Sequence, residues 1–392
     1  MPASTPELAK ILPEDGYAGT LIGRVWNADA AGPSPVVVRE DGVFDISTTF
    51  PTVQALCEQL DPARAARQAD GVFVGNLGDL LANADPEVRE PDRSWLLAPV
   101  DLQVLKAAGV TFAASMIERV IEERTRGDAT AAAGIRQQIV GIVGDDLSRI
   151  VPGSERSKEL KAFLIEGGLW SQYLEVGLGP DAEIFTKAPT LSAVGTHMPV
   201  GVLRSSTWNN PEPEIALAVS SAGVPVGAVL ANDVNLRDVE GRSALLLPLA
   251  KDNNASCAIG PFLRLFDETY DLDDVRSARV ELEIDGTDGF HLDGVSEMSS
   301  ISRDPADLVT QLIGPRHQYP DGAVLLLGTM FAPTADRGGE GMGFTHRDGD
   351  VVRISSSGLG ALTNTVSRSE DCEPWTFGVG ALMKNLAERG LL

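Results

Sequence analysis

The chain is short of basic residues, cysteine and histidine, and each shortage bears on the functions open to it. Lysine and arginine number 32 against 56 aspartates and glutamates, giving a formal net charge of −24. Such a chain lacks the basic face that sequence-independent nucleic-acid binding needs, so no nucleic-acid partner is expected. The same charge opposes docking on anionic lipid. Apolar runs such as Ala244 to Ala250 and Ala323 to Gly328 are far too short to span a bilayer, so no membrane partner is expected either. The three cysteines, Cys57, Cys257 and Cys372, are odd in number and lack metal-type spacing. That pattern argues against a disulfide framework and for a reducing, cytoplasmic location. The start, Met1-Pro2-Ala3-Ser4-Thr5, shows no basic segment leading into an apolar core, so no signal peptide is expected. His197, His291, His317 and His346 have no ligand spacing and read as structural.

What remains is an acidic globular chain of 392 residues with 43% apolar content, enough for one large or two smaller cores. Gly19 to Trp26 and Pro35 to Arg39 read as strands around a Gly/Pro turn, and Val53 to Leu60 as a short helix. Pro91-Asp92-Arg93-Ser94 has linker composition. Met116 to Arg126, Ala131 to Ile150 and Ser154 to Glu166 carry helical patterns, the last closed by Gly167-Gly168. From about residue 180 the chain is strand-rich, with Arg279 to Ile284 and Val351 to Ser355 alternating at period two. Pro305 to Leu312 and Gly380 to Glu388 are expected helices. The glycine-rich stretch Gly338 to Gly343 lacks the Lys-Ser/Thr ending of a phosphate cradle and reads as a loop.

The most informative feature is Glu212-Pro213-Glu214, followed by Asp233 and then Lys251. Glu212 and Glu214 share a face of an extended strand. Ile215 to Val219 suits a buried strand, Ala222-Gly223 the centre of a tight turn, and Val224 to Leu230 the returning strand. A two-residue turn there sets position 212 opposite 233, which brings Asp233 to the face of the two glutamates. Three carboxylates so close repel strongly unless a cation joins them. Glu118, beside Arg119, Glu122, Glu123 and Arg124, can be read instead as part of a solvated helix face, with Arg119 and Glu123 paired at i,i+4. Glu240 can be read as a simple partner of Arg242 or Arg237.

The order of motifs resembles the fumarylacetoacetate hydrolase superfamily. The carriers are Phe185-Thr186-Lys187-Ala188-Pro189-Thr190, the acid hairpin, Asn232-Asp233-Val234-Asn235-Leu236-Arg237-Asp238, Lys251 through Ile259-Gly260-Pro261, and Leu327-Gly328-Thr329. The resemblance implies an α+β, mostly β fold: a mixed β-roll over 98–392, a β-rich N-terminal domain over 1–97 and a helical insertion at about 115–168. It implies Mg²⁺, with Mn²⁺ as the alternative, held by Glu212, Glu214 and Asp233. It further implies an active-site Lys251, a substrate-binding Thr329 and Arg237, and assembly as a homodimer or homotetramer. Where family hydrolases carry a His–Glu water-activating dyad, this chain keeps Glu118 but has Ser115 in place of the histidine. Glu240 replaces a usual glutamine. These departures, with stretches such as Gly168 to Val176 and Lys251 to Cys257, resemble the sugar-acid dehydratase branch. The expectation is therefore a lyase that dehydrates a 2-keto-3-deoxy-pentonate to 2,5-dioxopentanoate in non-phosphorylative pentose breakdown. Lys251, its pKa lowered by burial and metal, would serve as base, Glu118 as acid and Glu240 as proton carrier. Lys187 and Ser115 are counted with Thr329 and Arg237 on the substrate side, with structural pairing to the acid cluster as the other reading of Lys187 and Arg237. A hydrolase or decarboxylase of a β-dicarbonyl acid, and a non-catalytic metal–oxoacid binder, are the competing expectations.

Overall fold

A computed structural model describes residues 10–125, 150–166, 168, 171–331, 333, 335–339 and 343–392. The helix expected over Ala131 to Ile150 lies, apart from its last residue, outside the described residues, as do Trp170 and the centre of the glycine-rich loop. In chain order the strands are β1 (Thr20–Asn27), β2 (Gly32–Arg39), β3 (Gly42–Asp45), β4 (Val72–Gly75), β5 (Trp95–Leu97), β6 (Val104–Gly109), β7 (Glu183–Ala188), β8 (Val200–Val202) and β9 (Asn209–Asn210). They continue with β10 (Pro213–Val219), β11 (Pro225–Asp233), β12 (Asn235–Leu236), β13 (Cys257–Leu265), β14 (Arg279–Asp285), β15 (His291–Glu297), β16 (Ala323–Leu326), β17 (Val351–Ser356) and β18 (Gly360–Arg368).

The large sheet runs β4-β3-β2-β1-β13-β11-β10-β16-β6-β7, with β5 also on β1. A smaller sheet runs β15-β14-β17-β18-β8, and β9 pairs β12. Both sheets are mixed: β16 is parallel to β6 and β18 to β8, and the other pairs are antiparallel. With helices packed around them, this is the α+β, mostly β arrangement. The N-terminal strands hydrogen-bond directly to the strand-rich C-terminal part, since β1 pairs β13 through Thr20–Leu265 and Ile22–Leu263. One core cluster likewise joins Ile22 and Val37 to Ala216, Val229 and Ile259.

Sequence pattern explains which strands are covered on both faces. β14 alternates exposed charge with buried Val280, Leu282 and Ile284, so one face meets water. β10, Pro-Glu-Ile-Ala-Leu-Ala-Val, is buried throughout. Its Ile215, Leu217 and Val219 enter one core cluster, while Ala216 and Ala218 enter the other. By the same alternation Glu212 and Glu214 fall on the Ala216 side. The helix Ala113–Thr125 buries Met116, Val120 and Ile121 against Tyr173, Leu174 and Leu178. No helix among the described residues is long and apolar enough to cross a membrane.

Candidate active site

The hairpin has the register the sequence predicts at its business end, reached by a different route. Pro213 faces Asn232, Glu214 faces Ala231, and the Asp233 N–H donates to the Glu212 carbonyl at 3.0 Å. The turn, however, is not a two-residue one. Gly223 N donates to Ser220 O, Ser220 N to Val224 O, and Val219 faces Pro225. Gly223 takes φ of +76°, the left-handed value that a longer turn requires. A bulge between Ala218 and Val219 absorbs the extra residue and restores the alternation.

Glu212, Glu214 and Asp233 consequently meet, all buried, each offering an oxygen within 4.8 Å of the others. Glu214 accepts the Gly328 N–H at 2.7 Å. Gly328 has φ of +88°, and a Cβ there would press on Thr111 and come within 2.8 Å of the Ala108 carbonyl. Only glycine brings that backbone N–H so close. Burial first, then the charges of Asp233 and Glu212, push the Glu214 carboxyl well above its ordinary range. Asp233 goes the other way: burial would raise it, but Lys187 and Lys251 outweigh burial and hold it low.

Three cations reach this cluster. Lys251 ends the short helix Leu247–Lys251, contacts Glu212, and lies 3.0 Å from Asp233 Oδ2. Burial lowers its pKa, yet Asp233, Glu212 and Glu240 together hold it above the ordinary lysine value. This corrects the expectation of a lowered pKa for the ion-free site, because three surrounding carboxylates exceed the desolvation penalty. Lys187 is fully buried on β7. Its ammonium pairs with Asp233 Oδ1 at 2.8 Å and donates to the carbonyls of Val234, at 3.0 Å, and Lys251. Every direction it points is occupied by protein, and it is absent from the cleft wall. Lys187 therefore positions Asp233 and the Lys251 backbone: of its two readings, pairing with the acid cluster is the one seen, not a substrate contact.

Arg119 is the third cation, and sequence reasoning misplaced it. It does not sit on a solvated face paired with Glu123. Its guanidinium contacts Glu212 and lies 2.8 Å from Glu240 Oε2. Glu123 instead accepts from Ser171 and from Gln172, the latter at 3.0 Å. Ser115, Glu118 and Arg119 all line the cleft, since positions i, i+3 and i+4 share a helix face while Met116 and Val120 face the core. Glu118 is buried and pairs with Arg237 at 3.2 Å, and Arg237 lies 4.2 Å over the Trp208 ring. Neither Glu118 nor Glu240 belongs to a solvated surface, and Glu240 pairs with Arg119 rather than with Arg242. The Ser115 hydroxyl donates to the Phe112 carbonyl of its own helix at 2.8 Å. Thr329 is buried at the cleft wall, its hydroxyl accepting the Phe331 N–H at 3.1 Å.

Glu183 and Phe185 are among the further wall residues that were missed. Strand parity with Lys187 was the available signal. Burial raises Glu183, with Arg119 and Lys251 opposing. The Phe185 ring lies 5.6 Å from Lys251 Nζ. Glu118, Glu183, Glu212, Glu214, Asp233 and Glu240 thus face Arg119, Arg237 and Lys251 across one cleft. Carboxylates exceed cations there, and the raised pKa of Glu214 marks the unmet repulsion. An all-oxygen donor set of this kind fits a hard divalent cation such as Mg²⁺ or Mn²⁺ better than Zn²⁺.

Residues 179–367 match the family model described as fumarylacetoacetate (FAA) hydrolase C-terminal. A 2-dehydro-3-deoxy-D-arabinonate dehydratase of Saccharolobus solfataricus is 31% identical over 189 residues, 47% of this chain and 59% of that protein. A probable 2-keto-3-deoxyxylonate dehydratase of Haloferax volcanii is 30% identical over 203 residues, 52% of this chain and 66% of that protein. The chain thus matches between about three-fifths and two-thirds of the length of these relatives. Among solved structures, a 2-keto-3-deoxy-D-arabinonate dehydratase complexed with magnesium and 2,5-dioxopentanoate superposes with TM-score 0.60 at 20% identity, covering 89% of this chain and 99% of that one. A fumarylacetoacetate hydrolase from Exiguobacterium antarcticum gives 0.54 at 16% identity over the same shares. The β10–β11 acid hairpin, Lys251 and the Gly328 loop all fall inside residues 179–367, the stretch that matches the fumarylacetoacetate (FAA) hydrolase C-terminal model.

Proposed function

We propose that this protein is a divalent-cation-dependent hydro-lyase that converts a 2-keto-3-deoxy-pentonate into 2,5-dioxopentanoate, as a step in pentose breakdown. The observation that carries the reading is the buried Glu212–Glu214–Asp233 cluster with Lys251 at its edge and Glu118 in the same cleft. The names of the two partial relatives, both pentonate dehydratases, support the substrate class.

Glu212, Glu214 and Asp233 would hold Mg²⁺, with Mn²⁺ as substitute. When bound, the cation supplies Lewis acidity to the keto oxygen of a 2-oxo acid and so acidifies the carbon-3 hydrogens. Lys251 takes a carbon-3 proton. Its ammonium is held by Glu212 and Asp233, so neutralising those carboxylates is what frees it to act as a base. Glu118, oriented by Arg237, gives a proton to the departing 4-hydroxyl, and water leaves. The enone then rearranges to the dioxo acid, with Glu240 moving protons between carbons while Arg119 keeps it in place. Thr329, Arg237 and Ser115 line the same cleft, where Thr329 and Arg237 would take the substrate carboxylate. Assembly as a homodimer or homotetramer is part of the same proposal and is read by light scattering.

The test is to incubate the protein with Mg²⁺ and 2-keto-3-deoxy-D-xylonate or its D-arabinonate counterpart and identify the products. Release of 2,5-dioxopentanoate supports the lyase. Carbon–carbon cleavage or carbon dioxide release would replace it with a hydrolase or decarboxylase. Unchanged, bound acid would make the protein a binder.

A further inference from the structure

A second cavity lies apart from the carboxylate cleft, walled by β1, β5, the loop over 191–198 and the segment over 373–377. No residue lines both. Three of the chain's five tryptophans line it: Trp26, Trp95 and Trp375. Trp26 and Trp95 stack with centroids 5.5 Å apart, and Phe377 meets Trp26 edge-on at 5.4 Å. Trp375 is 46% exposed, so one aromatic wall stands open.

Arg24 forms part of this cavity and is only 5% exposed. Its Nε donates to the Ala98 carbonyl at 3.0 Å. Among the described residues, neither terminal nitrogen of Arg24 has a hydrogen-bond acceptor or a carboxylate at ion-pair distance. Asp101, whose charge reaches Arg24, is already engaged by the N–H groups of Val53, Gln54 and Leu102. Arg89, the other cation of the cavity, is committed to Glu373 at 3.0 Å and to the Ala84 carbonyl at 2.7 Å. One largely buried guanidinium thus turns its fork to the cavity without a protein partner among the described residues.

We propose that this cavity is a second ligand site, built for a small planar monocarboxylate with an aromatic or unsaturated body. The fork of Arg24 matches a carboxylate with two parallel hydrogen bonds. The indole and phenyl faces suit a flat apolar body. A single uncommitted cation, with the Glu373 carboxylate at the rim, selects against dianions and phosphates. This site does not depend on the proposed dehydratase chemistry.

The test is calorimetric titration of the full chain with benzoate and with benzamide, which has the same shape and no charge. One benzoate per chain is expected, with benzamide at least about tenfold weaker, as the loss of a charge-assisted hydrogen bond dictates. Arg24→Met should bring benzoate down to the benzamide level, and Trp375→Ala should weaken both. Lys251→Met should leave benzoate binding unchanged. If Arg24→Met does not fold, Arg24→Lys, which keeps the charge but loses the fork, should bind benzoate more weakly than the wild type. Equal affinity for the two probes, no binding of either, or benzoate binding abolished by Lys251→Met would overturn the proposal.

Discussion

Two isosteric substitutions in the acid cluster should behave oppositely in the absence of metal. Asp233→Asn and Glu214→Gln each remove one carboxylate charge. At the 4.8 Å limit between ligand oxygens, one carboxylate pair repels by about 3.5 kcal/mol at an effective dielectric near 20. Glu214 faces two such neighbours, so its full ionisation would cost about 7 kcal/mol before Lys251 and the Gly328 N–H offset part of it. Burial and this repulsion raise the Glu214 carboxyl, which favours its protonated form in the folded protein. Glutamine mimics the protonated acid without having to take up a proton on folding, so Glu214→Gln should stabilise the metal-free protein at neutral pH. Asp233→Asn instead strips the fully buried Lys187 of its carboxylate, and breaking a buried pair costs about 3–5 kcal/mol. Urea unfolding with chelator present measures both. Saturating Mg²⁺ at a hundred times its Kd should then add about 2.7 kcal/mol to the wild type and nothing to either variant. If Glu214→Gln destabilised as much as Asp233→Asn, or if either variant kept the Mg²⁺ stabilisation, this distribution of charge would be refuted.

Other consequences follow from the same geometry. Glu214 has a folded pKa above its unfolded value, so its contribution is fully present below about pH 4.3 and is lost as pH rises through the folded pKa. Asp233 is depressed, and its contribution is already complete above about pH 5. Melts of chelated protein between pH 5 and 8 should therefore lose stability with rising pH, less steeply in Glu214→Gln; identical slopes would contradict the assignment. Lys251→Met should abolish turnover, while Glu118→Gln should lower it by about 10²–10⁴-fold, each with Mg²⁺ binding retained. Normal turnover in Lys251→Met with metal bound would remove it from the chemistry. Arg119→Met releases Glu212 from a competing cation, so calorimetry should show tighter Mg²⁺ binding together with a raised KM; weaker Mg²⁺ binding would contradict this.

The acid hairpin was legible because alternation along a strand is insensitive to how the turn is built. The longer turn at Ser220–Gly223 and the bulge at Ala218/Val219 cancel, so the simplest register gave the right partners for the wrong turn. Helix periodicity found Ala113–Thr125 within a few residues and Pro305–Leu312 at its ends. It could not say which face of the first looks inward. Local i,i+4 charge pairing assigned Arg119 to Glu123, whereas Glu212 and Glu240, distant in sequence, are its partners. Lys187 stayed open between substrate contact and pairing with the acid cluster for a related reason: only packing shows that protein encloses it and that it pairs with Asp233. The helices Pro62–Gln68 and Leu77–Ala82 were absorbed into an expected β-rich segment, since helices of seven and six residues, under two turns each, give little periodic signal.

Counting bound Mn²⁺ by its electron paramagnetic resonance signal tests the central claim most directly. The wild-type chain should bind one Mn²⁺, displaced by Mg²⁺, and Glu212→Gln, Glu214→Gln and Asp233→Asn should each lose it. One Mn²⁺ per chain retained in all three variants would show that these carboxylates are not the cation site.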